Sequence, residues 1–509
     1  MFENQPKALY ALALANTGER FGYYTMIAVF SLFLRANFGL SGDTAGLIYG
    51  VFLALVYFLP LVGGIMADKF GYGKMVTIGI IVMFAGYLFL SIPLGGGVMG
   101  YAAMFGALLF VSLGTGLFKG NLQVMVGNLY DAPELSAKRD SGFSIFYMAI
   151  NIGALFAPTA AVRIKEWAEH SLGYSGNDAY HFSFAVACVS LIVSMMIYYA
   201  FRSTFRHVEA GAGKSKKTDT TVATEELTPQ QTKERIVALC LVFAVVIFFW
   251  MSFHQNGLTL TFFADEFVSP KSEGVQTMAF DVINLVMIIF MVYSLMSFFQ
   301  SKTSKAKLIS TVVFLAAVGV LVYKYHNIGG PVDVSAPIFQ QFNPFYVVAL
   351  TPVSMAIFGA LAAKGKEPTA PRKIAYGMII AGSAYLLMVL ASRGLLTPNQ
   401  QAAAKAAGET VPFASGNWLI GTYLILTFGE LLLSPMGISF VSKVAPPKYK
   451  GTMMGGWFVA TAIGNLLVSV GGFLWNDIPL TIVWSVFIVL CLLSAGFMFL
   501  MMKRLEKVA

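Results

Sequence analysis

The sequence predicts an all-α integral membrane protein with fourteen spanning helices. Its 509 residues are 57% hydrophobic and only 12% charged, and the mean hydropathy is +0.72, whereas soluble domains carry about 25% charged residues. The apolar residues are gathered into fourteen segments, each long enough to cross a bilayer as a helix. Lysine and arginine gather mostly in every second connection between these segments, which is typical of membrane topology.

The predicted spans fall into two sets separated by a polar stretch. We expect an N-terminal six-helix bundle over residues 1–202 and a C-terminal bundle over 234–509, with an inserted hairpin at about 277–325. Residues 203–233 contain KSKK, TDTT and TPQQ and are predicted to form a cytoplasmic linker, because so polar a stretch buries no core. The predicted spans are 10–34, 44–67, 75–94, 99–123, 141–162, 181–202, 234–264, 277–298, 307–325, 341–362, 373–391, 416–440, 451–474 and 480–502.

The distribution of basic residues predicts the orientation. With the N-terminus in the cytoplasm, 25 of the 34 lysines and arginines fall in cytoplasmic segments and seven outside, while Arg20 and Lys119 lie within spans. This asymmetry is what the positive-inside rule describes. We therefore expect both termini in the cytoplasm. The net charge of +9 indicates membrane topology rather than a nucleic-acid partner.

The first span carries an unexpected charge pair, Glu19 next to Arg20. On a helix these residues share one face with Asn16, Tyr23, Tyr24 and Ile27. A charge at mid-depth in the bilayer costs about 2.5–3.5 kcal/mol. We therefore expect this face to point into a protein interior or a watery cavity. It forms either a structural ion pair that fixes helix packing or the charged wall of a binding site.

Ionisable and amide side chains also interrupt later spans. Lys119, within GTGLFKGN, either extends to the cytoplasmic surface or lies in a packed site that its neighbouring glycines permit. Asn151 either holds helices together or contributes to a site. His254, which would share a helical stripe with Trp250, is either a buried hydrogen-bonding group or a proton carrier, since histidine titrates near physiological pH.

The second half of the chain contains one carboxylate within a span, Glu430. It lies on one helical face with Tyr423, Thr427 and Ser434. Asn343 precedes a proline, which suits a helix opening or kink.

Together these positions predict a cavity that is cationic on one wall and anionic on the other. Arg20 and Lys119 would attract a carboxylate, and Glu430 would attract an amine, which suits a small zwitterion. Aromatic side chains are expected to form apolar pockets around it; they are Tyr23, Tyr24, Tyr57, Trp250 and Trp457.

Eight stretches, in order along nearly the whole chain, are similar to the proton-dependent oligopeptide transporter family of the major facilitator superfamily. They are ERFGYY at 19–24, GTGLFKGN at 114–121, FYMAINIGAL at 146–155, FFW…Q from 248 to 255, QFNP at 341–344, KGKEPTAPRK at 364–373, GELLLSP at 429–435 and GTMMGGWF at 451–458. The loop GGIMADKFGYGK at 63–74 resembles the one after the second helix of major facilitators. The resemblance implies a major-facilitator fold and proton-driven import of di- and tripeptides by alternating access across a bacterial inner membrane.

The resemblance also implies roles for individual residues. Arg20 and Lys119 would hold the peptide carboxylate, and Glu19 would join proton coupling through a salt bridge to both. The residues expected at the amino end of the peptide are Asn151, Asn343 and Glu430. The full set of expected substrate-binding residues is Arg20, Tyr23, Tyr24, Tyr57, Lys119, Asn151, Trp250, Asn343, Glu430, Ser434 and Trp457. The residues expected in proton coupling are Glu19, Arg20, Lys119, His254 and Glu430.

Four positions depart from the family pattern. Asn16 replaces an acid and Ile27 a second arginine, so one acid and one base are lost together. His254 stands where the family usually has an acid, and Gly120 where a proline commonly follows the lysine. These changes leave open the coupling route and the range of substrates.

The hairpin at 277–325 is a further departure, because bacterial members usually carry two extra helices between the six-helix halves. It is either a peripheral brace against lipid or a docking element for a partner.

Two alternatives to peptide import stay open. In the first, a transporter of the same fold would carry modified dipeptides, amino-acid conjugates or another anion, or would have weakened proton coupling. In the second, a transporter-like sensor would bind ligand and recruit a partner through 203–233. We find no nucleophile paired with a base, no metal-ligand set and no phosphate loop, so the sequence predicts neither an enzyme nor a bound cofactor or metal. The expected partners are a small peptide, protons and the lipid bilayer, and a monomer is expected.

Overall fold

The computed structural model describes residues 5–131, 133–136, 139–210, 227–446 and 449–508. These residues are almost wholly helical. Their α-helices are, in chain order, α1 (Lys7–Phe38), α2 (Gly42–Phe70), α3 (Tyr72–Leu90), α4 (Val98–Asn128), α5 (Pro133–Ser136), α6 (Arg139–Leu172), α7 (Tyr180–Ala200), α8 (Pro229–Phe253), α9 (Thr259–Phe267), α10 (Val282–Gln300), α11 (Ser304–His326), α12 (Phe342–Ala363), α13 (Ala370–Ala391), α14 (Pro398–Ala406), α15 (Asn417–Val444), α16 (Lys450–Leu466), α17 (Ser469–Phe473) and α18 (Leu480–Val508).

Short elements connect these helices. The 3₁₀ helices are Arg202–Thr204, Arg206–Val208, His254–Gly257, Gly274–Phe280 and Ala336–Gln341. Two strands, β1 (Lys271–Ser272) and β2 (Val332–Asp333), pair antiparallel with Lys271 opposite Asp333.

Thirteen of the fourteen predicted membrane-spanning helices are confirmed. Thirteen helical stretches of the described chain are long and apolar enough to cross a bilayer. The remaining predicted span is the first one, which α1 contains. α1 has 32 residues, and its polar face, which includes Glu19 and Arg20, lowers its mean hydropathy. The protein is therefore an all-α, multi-pass membrane protein.

Span seven is less regular than the sequence predicts. α8 ends at Phe253, and His254 opens the 3₁₀ turn that leads into α9. The turn contains Gly257, and glycine is a poor helix former because it loses the most backbone entropy. The predicted stripe holds for Trp250 and His254, whose rings stack, but the α-helix ends at Phe253 and His254 lies at a break in the helix.

The chain forms two compact units. The first consists of Met1–His254, Ile438–Phe473 and Lys507–Ala509, and the second of Gln255–Gly437 and Leu474–Glu506. The predicted division into two six-helix bundles stays a prediction, and residues 211–226 of the predicted linker lie outside the described residues.

In the first unit, small residues let helices pack with close backbones. α1 packs against α6 and α7, α2 against α4, α16 and α17, and α8 against α16. Where α2 meets α4, a Cβ atom added to Gly63 would lie 2.1 Å from the carbonyl oxygen of Gly116. Packing of small residues in this way is a main source of helix association within membranes.

We expect Gly63→Ala to lower the stability of the protein. Its methyl group would overlap the backbone of α4, and overpacking of this kind typically costs about 1–3 kcal/mol. Gly64→Ala is the matched control, because a Cβ atom at Gly64 meets no atom within 4 Å. The measurement is the apparent melting temperature of both variants in one detergent, and equal melting temperatures would contradict the close contact.

The second unit contains the hairpin. α10 and α11 occupy the segment where it is predicted, and an ion pair between Lys324 and Asp281 joins their ends. α10 packs on α12, whereas most apolar side chains of α11 are exposed in the protein, including Leu308, Val312 and Leu315. In a membrane-spanning chain such a surface suits contact with lipid. This arrangement is compatible with the predicted brace.

Candidate functional site

The charge pair of α1 is buried. Glu19 is 0% and Arg20 3% exposed, and Arg20 donates from Nε to Glu19 Oε2 at 2.6 Å and from Nη2 to Oε1 at 3.1 Å. Its guanidinium also lies 5.2 Å from the ring of Tyr23. Both carboxylate oxygens therefore have a charged donor, and the polar face of α1 points into protein as predicted.

Lys119 of α4 has a different kind of contact. Its ammonium nitrogen lies 4.1 Å from the ring centroid of Tyr57 on α2, a cation–π geometry. The close approach of α2 and α4 at Gly63 and Gly116 makes this contact possible. The expected ion pair between Lys119 and Glu19 is not formed among the described residues, whereas Arg20 donates to both carboxylate oxygens of Glu19. Lys119 therefore forms no ion pair in this part of the chain, although the charge of Glu19 acts on it from a longer distance.

His254 contacts three elements of the first unit. Its Nδ1 lies 2.5 Å from Oδ1 of Asn465 on α16. Trp250 stacks on the imidazole at 5.1 Å between ring centroids, with 19° between the planes. Tyr57 lies 6.0 Å away, centroid to centroid. One tyrosine ring therefore contacts both the Lys119 ammonium and the His254 imidazole.

The remaining predicted residues of the first unit are buried or partly buried around α1, α6 and α16. Asn151 donates to the carbonyl oxygen of Tyr147 at 3.0 Å, which satisfies one of its hydrogens within its own helix. Tyr23 packs edge-on against Tyr24, with ring centroids 5.4 Å apart. Trp457 is 3% exposed. These side chains supply apolar surface and one amide.

In the second unit, Glu430 of α15 is the centre of a small polar cluster. Its side chain lies 2.9 Å from Asn343 Nδ2, which also donates to Thr427 Oγ1 at 3.0 Å. Glu430 is 8% exposed, and no cation pairs with it among the described residues. Ser434, one turn further along α15, is partly buried. This cluster presents a carboxylate whose hydrogen-bond partner among the described residues is a neutral amide.

The structure thus places ten of the predicted residues in the first unit and three in the second. The first group is Glu19, Arg20, Tyr23, Tyr24, Tyr57, Lys119, Asn151, Trp250, His254 and Trp457. The second group is Asn343, Glu430 and Ser434. Sequence reasoning missed Asn465, the partner of His254. A signal existed, because Asn465 follows Trp457 by eight residues on the same face of α16.

A helical chain that spans the membrane many times is a polytopic membrane protein, and ionisable side chains inside its spans indicate a functional site. This protein belongs to the POT family, whose family model matches residues 73–224 and 324–483.

Individual relatives are similar over most of their length. The di-/tripeptide transporter of Lactococcus lactis subsp. cremoris is 28% identical over 497 residues, which cover 92% of this chain and 89% of the relative. Dipeptide and tripeptide permease B of Xenorhabdus bovienii is 26% identical over 480 residues, covering 92% and 86%. The crystal structure of a peptide transporter POT in complex with sulfate matches with a TM-score of 0.73 at 22% identity, covering 100% of this chain and 96% of that one. The structural likeness confirms the all-α, major-facilitator fold.

Proposed function

We propose that this protein is a proton-coupled symporter that imports di- and tripeptides by alternating access. It would act as a monomer in a bacterial inner membrane, with both termini in the cytoplasm and protons as the coupling ion. Its similarity to proteins named as di- and tripeptide transporters supports peptides as the cargo. Transport rather than catalysis is also supported by its family.

The observation that carries this proposal is the unmatched charge of the first unit. Glu19 and Arg20 pair with each other, which leaves the Lys119 ammonium against an aromatic ring and without an anion among the described residues. A cation inside a membrane protein is costly unless it is paired. The carboxylate of a peptide would supply that anion, and Arg20 of the same unit would contribute further donors.

The amino end of the peptide is assigned to the second unit. Glu430 is a nearly buried carboxylate that contacts the neutral side chain of Asn343. An ammonium group would form a charge-assisted hydrogen bond with it. The preference for a free α-amino group would then depend on Glu430.

Proton coupling is assigned to Glu19 and His254. Protonation of Glu19 would remove the charge that pairs with Arg20 and free its guanidinium for the substrate carboxylate. Protonation of His254 would add a positive charge beside the Tyr57 ring that also contacts Lys119. Both changes favour binding of an anion, so proton uptake and carboxylate binding would support each other.

The test is uptake of labelled dialanine into liposomes that contain the purified protein. We expect accumulation above the external concentration when an inward proton gradient is imposed, and only equilibration without it. A membrane potential adds about 2.3 kcal/mol per charge per 100 mV to this driving force. Accumulation that is indifferent to the proton gradient would overturn the coupling, and failure to exchange any peptide would overturn the cargo.

A second candidate keeps the transporter and changes the cargo. It is favoured by Asn16 and Ile27, which leave one acid and one base fewer on the polar face of α1 than the family pattern has. Modified dipeptides, amino-acid conjugates or another anion would then be carried. Competition of each compound with labelled dialanine in the same liposomes distinguishes the two candidates.

A further inference from the structure

The contact between His254 and Asn465 joins two stretches of the first unit that are 211 residues apart in sequence. Gly464, next to Asn465, makes it possible. A Cβ atom at Gly464 would lie 2.5 Å from the carbonyl oxygen of Ile247 and 2.9 Å from Cβ of Trp250. Because residue 464 has no side chain, α16 lies directly on the end of α8 and brings the Asn465 amide to the imidazole.

Packing alone does not account for an asparagine at this position. Asn465 is 0% exposed, and its Nδ2 has no hydrogen-bond partner among the described residues. A buried amide that lacks a partner destabilises a protein, whereas leucine fills a similar volume without that penalty. The contribution of the side chain is therefore its oxygen, which contacts His254.

The chemistry of that oxygen determines which nitrogen of His254 carries a hydrogen. A carboxamide oxygen accepts hydrogen bonds and does not donate them, so Nδ1 is the donor. Nδ1 then keeps its hydrogen in both the neutral and the charged imidazole, and Nε2 is the nitrogen that gains and loses a proton.

We propose that Asn465 is a positioning residue for proton coupling, which fixes His254 as the Nδ1–H tautomer and leaves Nε2 to take up the transported proton. The inference rests on the proposed function, since it assigns a new residue to the coupling step. The step is a proton transfer: an N–H bond forms at Nε2 with a proton taken from water on one side of the membrane, and it breaks when the proton returns to water on the other side.

The groups that face His254 explain how its charge would act on the substrate. They are Tyr57 of α2, Trp250 of its own helix and Asn465 of α16, with Lys119 of α4 on the Tyr57 ring. The charged group among them is Lys119. A protonated His254 would add a second positive charge near it, and two like charges in a medium of low dielectric constant strengthen the attraction for an anion.

The tautomer is tested directly by nitrogen NMR of protein labelled with ¹⁵N-histidine. The chain has five histidines, and the signal that His254→Gln removes belongs to His254. We expect the Nδ1–H tautomer in the wild type and a mixture of both tautomers in Asn465→Leu. A wild-type His254 in the Nε2–H tautomer would overturn the assignment, whatever the protein transports.

Transport in liposomes tests the consequence for coupling. We expect Asn465→Leu to retain dialanine counterflow without a gradient but to lose accumulation driven by a proton gradient. In Asn465→Asp, a carboxylate beside the imidazole favours its charged form, so the midpoint of the pH profile of uptake should move to higher pH by about 1–3 units.

Thr461→Val is the matched control on α16. Thr461 is also buried, but its hydroxyl donates to the carbonyl oxygen of Trp457 in its own helix, so the variant should keep the wild-type pH profile. Wild-type accumulation and pH midpoint in both Asn465 variants would overturn the proposal. Absence of counterflow in the wild type would instead overturn the proposed function, and the NMR measurement would still decide the contact.

Discussion

Lys119→Ala should reduce gradient-driven uptake of dialanine by about 10- to 100-fold, because it removes a charge-assisted hydrogen bond worth about 1.5–3 kcal/mol to the substrate carboxylate. The Lys119 ammonium packs on Tyr57 and has no anionic partner in the described chain. The charge of Lys119 is therefore available to a ligand. The charge of Arg20 is less available, because Arg20 is paired with Glu19. Initial rates of uptake and dialanine affinity, measured in liposomes of equal protein content, test this.

Lys74→Ala is the control for loss of a lysine side chain. Lys74 also lies over an aromatic ring, 5.9 Å from that of Phe70, but it is exposed near the start of α3. We expect uptake by Lys74→Ala to match the wild type. Normal pH-dependent accumulation by Lys119→Ala would contradict the assigned role.

A second measurement separates a functional lysine from a structural one. Lys119→Met keeps most of the side-chain length and removes the charge. If Lys119 binds the substrate, this variant should lose uptake. It should nevertheless melt at a higher temperature than the wild type, because an unpaired cation within the membrane is destabilising. If Lys119 instead stabilises the fold, the same variant should melt at a lower temperature than the wild type.

The polar face of α1 was predictable from sequence because the penalty for a charge in lipid is large and local. Glu19 and Arg20 lie within an apolar segment, so helical geometry and the cost of burial were enough to predict that they face protein. The spanning helices were predictable for the same reason, since each needs only about 20 apolar residues in a row. Both arguments use neighbouring positions along the chain.

The partners of these side chains were less predictable. Residue spacing does not show that the Lys119 ammonium packs on the Tyr57 ring instead of pairing with Glu19, because that choice depends on how closely α2 and α4 approach. The contact between His254 and Asn465 depends on a helix break after Phe253 and on Gly464 in another helix. Interactions between distant segments follow from packing, which a single sequence does not specify.

Taken together, the two units present complementary chemistry. Within the described residues, the first unit contains an unpaired ammonium, and the second contains a carboxylate that contacts an amide. Under the proposed function, the carboxylate of a dipeptide is assigned to Lys119 and its ammonium to Glu430. If this is correct, the effect of a Lys119 substitution on uptake should depend on the carboxylate of the peptide. The effect of a Glu430 substitution should depend on its amino group.

Glu430→Gln should therefore reduce uptake of dialanine by about 10- to 100-fold while having little effect on a peptide that lacks a free amino group. The substitution keeps the volume of the side chain and a hydrogen-bonding group for Asn343, but it removes the charge that would attract an ammonium. N-acetyl-dialanine has no ammonium group. We expect it to be a poor substrate of the wild type and an equally poor one of the variant.

The comparison of the two peptides isolates one pairwise interaction, as a double-mutant cycle does. Glu409→Gln, which changes an exposed carboxylate after α14, is the control for loss of a negative charge and should transport both peptides as the wild type does. An equal fall in the uptake of dialanine and N-acetyl-dialanine in Glu430→Gln would show that Glu430 supports the fold or the transport cycle instead of recognising the amino end. A selective fall for dialanine would assign the ammonium to Glu430.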